Sequence, residues 1–81
     1  MRLFVSQLPQ QEPIAIECLE TDTVGHVMVL LANRLSYSMD RLKLVFAGQQ
    51  LDSHLHRLHE IGINNETSLT VVVSPGMQHY S

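Results

Sequence analysis

Residues Arg41 to Leu51 read RLKLVFAGQQL. Leu42, Leu44 and Phe46 alternate with Lys43 and Val45, the period of a strand with one face inward and one outward. Ala47-Gly48 supplies a tight turn, after which Gln49 to Leu51 returns as a short strand. Downstream, SLTVVV (Ser68 to Val73) is strongly β-prone and stops at Ser74-Pro75-Gly76. Between these strands DSHLHRLHEIGINNE is polar and irregular, with Leu55, Leu58, Ile61 and Ile63 as its anchors. Upstream, ETDTVGHVMVLLANRL changes period: Val24, Val27, Met28, Leu31 and Leu35 fall on one stripe of a helix. Asp22 or Thr23 offers the oxygen that starts it, and Gly25 costs about 1 kcal/mol of propensity but lies in the first turn. At the beginning of the chain Leu3 and Val5 share a face opposite Arg2 and Ser6, which predicts a strand over Met1 to Gln7. The loop Leu8 to Pro13 leads into a second strand, in which Ile14, Ile16 and Cys18 alternate with Ala15 and Glu17. The order ββαββ, irregular stretch, β predicts an α+β fold, a mixed sheet with one helix packed across it. Residues 1–74 form one domain and residues 75–81 a tail or the start of a linker.

Composition narrows the function classes. Eighty-one residues hold one core, and 44% hydrophobic with 16% charged residues is the balance of a folded chain. Five basic residues against eight acidic ones, net charge -3, give no electrostatic footprint for nucleic acid. The longest apolar run, Val27 to Ala32, is far short of a membrane span, and MRLFVSQLP lacks the apolar stretch of a signal peptide. One cysteine makes no internal disulfide, which fits a reducing cytoplasmic or nuclear setting.

The element order, MRLFV at the start, the TDTV helix entry and above all LVFAGQQL closely resemble the ubiquitin family, whose corresponding segment reads L-I-F-A-G-K-Q-L. SLTVVV is similar to the family's closing strand. The resemblance runs from Met1 to about Val73, with one extra residue in the first hairpin loop and another near His54 to Arg57. It implies a β-grasp fold. It also implies an apolar patch on the sheet that docks ubiquitin-interacting helices or proteasomal ubiquitin receptors. That patch maps to Leu8, Val45 and Val72, beside Gly48, with Thr70 where ubiquitin has a histidine. In these roles Gly48 permits close backbone approach and Lys43 offers a charge to an acidic motif. Alternation puts Val45 and Val72 on the outward side of their strands, and single exposed valines are otherwise ordinary in sheets. Valine for isoleucine at Val45 removes one methylene, about 0.8 kcal/mol of burial, so docking is weakened rather than lost.

Departures from the family decide between roles. A conjugated modifier ends in a flexible Gly-Gly tail; here the last strand meets Ser74-Pro75-Gly76-Met77, with no diglycine. Lys43 is the single lysine, and Ser6, Met28, Leu30, Arg34, Gln49 and Asn65 occupy the family's lysine positions, with Gln11 or Glu12 in the hairpin loop. Met28 stands where ubiquitin has a largely buried lysine, and Ser53 matches that lysine's aspartate, so both members of a buried pair are replaced together. The expectation is a non-catalytic, monomeric interaction module of a longer protein in the ubiquitin–proteasome pathway, whose partners include neighbouring domains of its own chain. The alternative is a diverged modifier or leader released from a fusion precursor.

Val29 and Leu30 fall off the helix stripe. Two readings stand: burial beneath the long loop around His54 to Arg57, or a second contact surface. His54, His56 and His59 form H-x-H-x-x-H, which is not a zinc spacing and reads as solvated loop. Cys18, on the inward face, reads as a structural thiol, and His26 as solvated. No carboxylate pair, nucleophile with base or phosphate loop is present, so no catalytic residues, cofactor or metal are assigned.

Overall fold

The computed structural model describes residues 1–7 and 12–74. Strands β1 (Arg2–Gln7) and β2 (Ile14–Glu17) precede helix α1 (Val24–Leu35); β3 (Leu42–Phe46), β4 (Gln49–Gln50) and β5 (Ser68–Val73) complete a five-stranded sheet. Its order is β2-β1-β5-β3-β4. The first and last strands lie parallel at the centre, with Val5 opposite Leu69 and Gln7 opposite Val71, while the remaining pairs are antiparallel. This is the mixed sheet with one helix across it that the alternation and the helical stripe predict. Short 3-10 turns at Met39–Arg41 and Leu58–Ile61 interrupt the connections.

The core is the inward set of each element. Leu3, Val5, Ile16, Leu42, Leu44, Leu69 and Val71 come from the sheet, and Val24, Val27, Met28 and Leu31 from the helix. Burying a side chain of this size contributes about 1.5–3 kcal/mol each, so the stripe rather than propensity holds α1 in place. Cys18 is buried at the end of β2, and burial pushes its thiol pKa up, with the Asp22 carboxylate adding to the effect. Met28 is 2% exposed and Ser53 is exposed, so an apolar side chain takes the buried place.

Thr23, not Asp22, caps α1: its Oγ1 accepts from His26 N at 3.2 Å. Asp22 closes the preceding turn instead, its Oδ2 accepting from Leu19 N at 2.9 Å. The other free amides of the first turn find partners across the chain. Val24 N donates to His56 O at 3.0 Å and Gly25 N to His54 O at 3.1 Å. A helix start leaves such donors unpaired unless something external accepts them. The stretch after β4 is therefore a clamp on the helix rather than an irregular spacer.

Two expectations for that stretch change. Leu58 and Ile63 are buried and Ile61 packs against them, but Leu55 is 86% exposed and anchors nothing. With His54 O and His56 O both turned to the helix, the residue between them is carried outward. Leu51 also falls outside β4, although its N still donates to Leu44 O at 2.8 Å.

Candidate functional site

The outward face of β3 and β5 is set by strand parity. Leu44 and Val71 are opposite one another and buried, so Lys43, Val45, Thr70 and Val72 must project to the other side. Val45 lies opposite Thr70 and Lys43 opposite Val72, which makes Val45 and Val72 diagonal neighbours across the ladder. Val72 is 38% exposed, Val45 and Thr70 are half-buried, and Lys43 is exposed. Among the described residues Lys43 makes neither an ion pair nor a side-chain hydrogen bond. The face thus offers a small apolar surface with one uncommitted cation beside it.

Its flanks are polar. Gln50 of β4 pairs with Val45, and Ser6 of β1 pairs with Thr70, so one row runs Gln50, Val45, Thr70, Ser6. The second strand after the turn carries Gln50 to this place, and parity in β1 does the same for Ser6; the sequence reading missed both as neighbours of the patch. Phe4, half-buried and two residues before Ser6 on the same side, extends the face beside Ala15 and Ser68. Alternation alone signals this aromatic.

Gly48 stands at the end of the patch in the two-residue turn between Phe46 and Gln49. Both turn residues have positive φ, 54° at Ala47 and 78° at Gly48. A side chain built on Gly48 meets nothing within 4 Å, so it is the backbone angle, not crowding within this domain, that favours glycine. Open space at this position leaves its backbone approachable.

Leu8, assigned to the same patch, lies outside the described residues, as do the tail residues after Ser74. Val29 and Leu30 sit apart from the patch, on the helix that covers the sheet's inner face. Val29 is 41% exposed, whereas Leu30 packs against the core and lines a groove with Ala15, Ile16 and Glu17. The long loop closes over the first turn of the helix instead, where a Cβ on Gly25 would stand 3.1 Å from His54 Cβ.

Among the described residues no three His, Cys, Asp or Glu side chains converge as metal ligands. His56 Nδ1 lies 3.8 Å from Glu60 Oε1, and His54 and His59 engage the chain through their backbones. Glu60 Oε1 accepts from Arg57 N at 2.9 Å, a bond that holds its carboxyl below the usual range. At the far end of β5, Arg41 grips the exit. Arg41 Nε donates to Ser74 O at 3.0 Å, Ser74 N returns a bond to Arg41 O at 2.7 Å, and the guanidinium lies 4.8 Å from the Tyr37 ring.

A model of the ubiquitin family matches residues 3–76, nearly the whole chain, and the five-stranded sheet with its single crossing helix is that family's β-grasp. By sequence match and by architecture, this chain belongs to the ubiquitin family.

Proposed function

We propose that this domain is a non-catalytic interaction module that docks protein partners on the outward face of β3 and β5. One observation carries the reading: Val45, half-buried, and Val72, 38% exposed, lie diagonally adjacent on the outward face, beside a lysine committed to nothing within the described residues. Apolar side chains left outside a sheet gain about 25 cal/mol per Å2 when a partner covers them. The partners that fit are amphipathic helices with an acidic flank, of the kind that bind ubiquitin, including proteasomal ubiquitin receptors; neighbouring domains of the same chain are a further source. Work in the ubiquitin–proteasome pathway, in cytoplasm or nucleus, follows from this reading. Domains of the family are generally non-catalytic. A patch this small supports affinity in the micromolar range.

A chemical-shift titration with a ubiquitin-interacting helical peptide tests it. Shifts should cluster at Val45, Thr70 and Val72, with Lys43 at the margin. Val72→Asp should abolish them while leaving the spectrum of a folded domain. Unchanged binding by that variant would overturn the proposal.

A further inference from the structure

We propose that Ser74 is a phosphorylation site for proline-directed protein kinases, and that its phosphate, held by Arg41 and Lys43, releases acidic partners from the outward face of β3 and β5. The release rests on the docking function proposed above; the site itself does not. Among the serines and threonines of the chain only Ser74 is followed by a proline. Proline after the acceptor brings no N–H that a kinase groove would leave unpaired, which gives the Ser-Pro pair its value as a recognition signal. Ser74 is also the first residue past β5, which ends at Val73. Its N and Oγ both donate to Arg41 O, at 2.7 and 3.1 Å, and its own carbonyl accepts from Arg41 Nε at 3.0 Å. Lifting the half-buried Ser74 into a kinase therefore breaks contacts with Arg41 and none with the core.

The surroundings suit the product. Val71 is buried and Val73 packs against the core, so parity puts Ser74 on the outward side with Val72. Lys43 lies opposite Val72, which makes it the diagonal neighbour of Ser74 and leaves it within reach through its long side chain. Among the described residues neither Arg41 nor Lys43 pairs with a carboxylate. The Tyr37 ring, 4.8 Å away, steadies the Arg41 guanidinium. In the transfer, Ser74 Oγ attacks the γ-phosphorus of a nucleoside triphosphate. The new Oγ–P bond replaces the bond to the β-phosphate oxygen, the nucleoside diphosphate leaves, and the hydroxyl proton passes to the base of the kinase. The phosphoserine carries a charge of about −1.5 to −2 and has lost the proton that Oγ gave to Arg41 O. Its oxygens turn to the planar fork of Arg41 and to the Lys43 ammonium. An acidic helix then meets repulsion beside Val72 where it found a free cation.

The test treats the full 81-residue chain with a proline-directed serine/threonine kinase, ATP and magnesium. Mass spectrometry should find one phosphoryl group, on Ser74, and none on Ser74→Ala. Pro75→Ala should slow the transfer about tenfold or more. By phosphorus NMR the phosphate of the folded domain should titrate below about pH 6, its ordinary value, because nearby cations favour the dianion. Arg41→Gln should move that midpoint back up. Phosphorylation should weaken the acidic helical peptide about tenfold, while Ser74→Ala given the same treatment binds as before. Three results would overturn the inference: transfer that ignores Pro75 or goes to other hydroxyls, a midpoint equal to that of the urea-unfolded chain, or undiminished binding by the phosphorylated domain. If the unmodified domain fails to bind the helix, the docking function falls, while the first two measurements still decide the site.

Discussion

Ala47 adopts φ 54° in the turn between β3 and β4, a region that costs an L-residue about 1–2 kcal/mol. Turns of two residues with positive φ at both match the twist of the flanking strands, so the hairpin imposes the angle and alanine bears it. Ala47→Gly should remove most of that strain and give back part of it as chain entropy, for a net stabilisation of about 0.5–1 kcal/mol. Thermal unfolding should move up by about 3–5 °C, and an unchanged midpoint would count against the strained turn. Single residues also show the limit of reading type without place. Leu55 has the same composition signal as Leu58, yet one is 86% exposed and the other is buried. Which of the two goes inward depends on where the helix amides hold the loop, and no residue type encodes that.

Strand β5 puts neighbouring valines to opposite uses. Val71 is buried against the helix side, and Val72 is open on the other. Val71→Ala should cost about 2 kcal/mol in urea denaturation, because it removes core contacts and leaves a void. Val72→Ala should stay within about 0.5 kcal/mol and change partner binding instead. The opposite pattern would mean that the register is shifted by one residue. Strands of this kind were legible from sequence because alternation directly encodes which side chains are inside. The helix was legible for the same reason at a different period, through Val24, Val27, Met28 and Leu31. Its cap was legible only as a choice between Asp22 and Thr23, since both carry an acceptor at the right distance from the stripe. The geometry of the Leu19 to Asp22 turn takes Asp22 and leaves Thr23 for the helix.

At the scale of the molecule, two exposed carboxylates add a small acid-sensitive contribution to stability, Glu17 by joining β2 to β1 and Glu60 by closing the turn at Arg57. Glu17 is held below its usual 4.5 by the hydrogen bond from Arg2, and Glu60 by the bond from the Arg57 backbone. A depressed folded-state pKa adds stability that is fully present above the unfolded value and lost as pH falls through the folded one. Urea midpoints should therefore decline below about pH 4.5, and Glu17→Gln combined with Glu60→Gln should flatten that decline. An identical acid profile in the double variant would show that other groups control it. The wider arrangement follows the same division between what is local and what is not. The order of elements, the inward set of each strand and the outward positions of Val45 and Val72 were determined by the sequence alone, because periodicity needs no partner to be read. The parallel pairing of β1 with β5, the loop that caps the helix, the grip of Arg41 on Ser74 and the place of β2 at the end of the strand order were decided by the tertiary structure. Each of these joins residues far apart in the chain, and only packing brings their backbone donors and acceptors within hydrogen-bond reach.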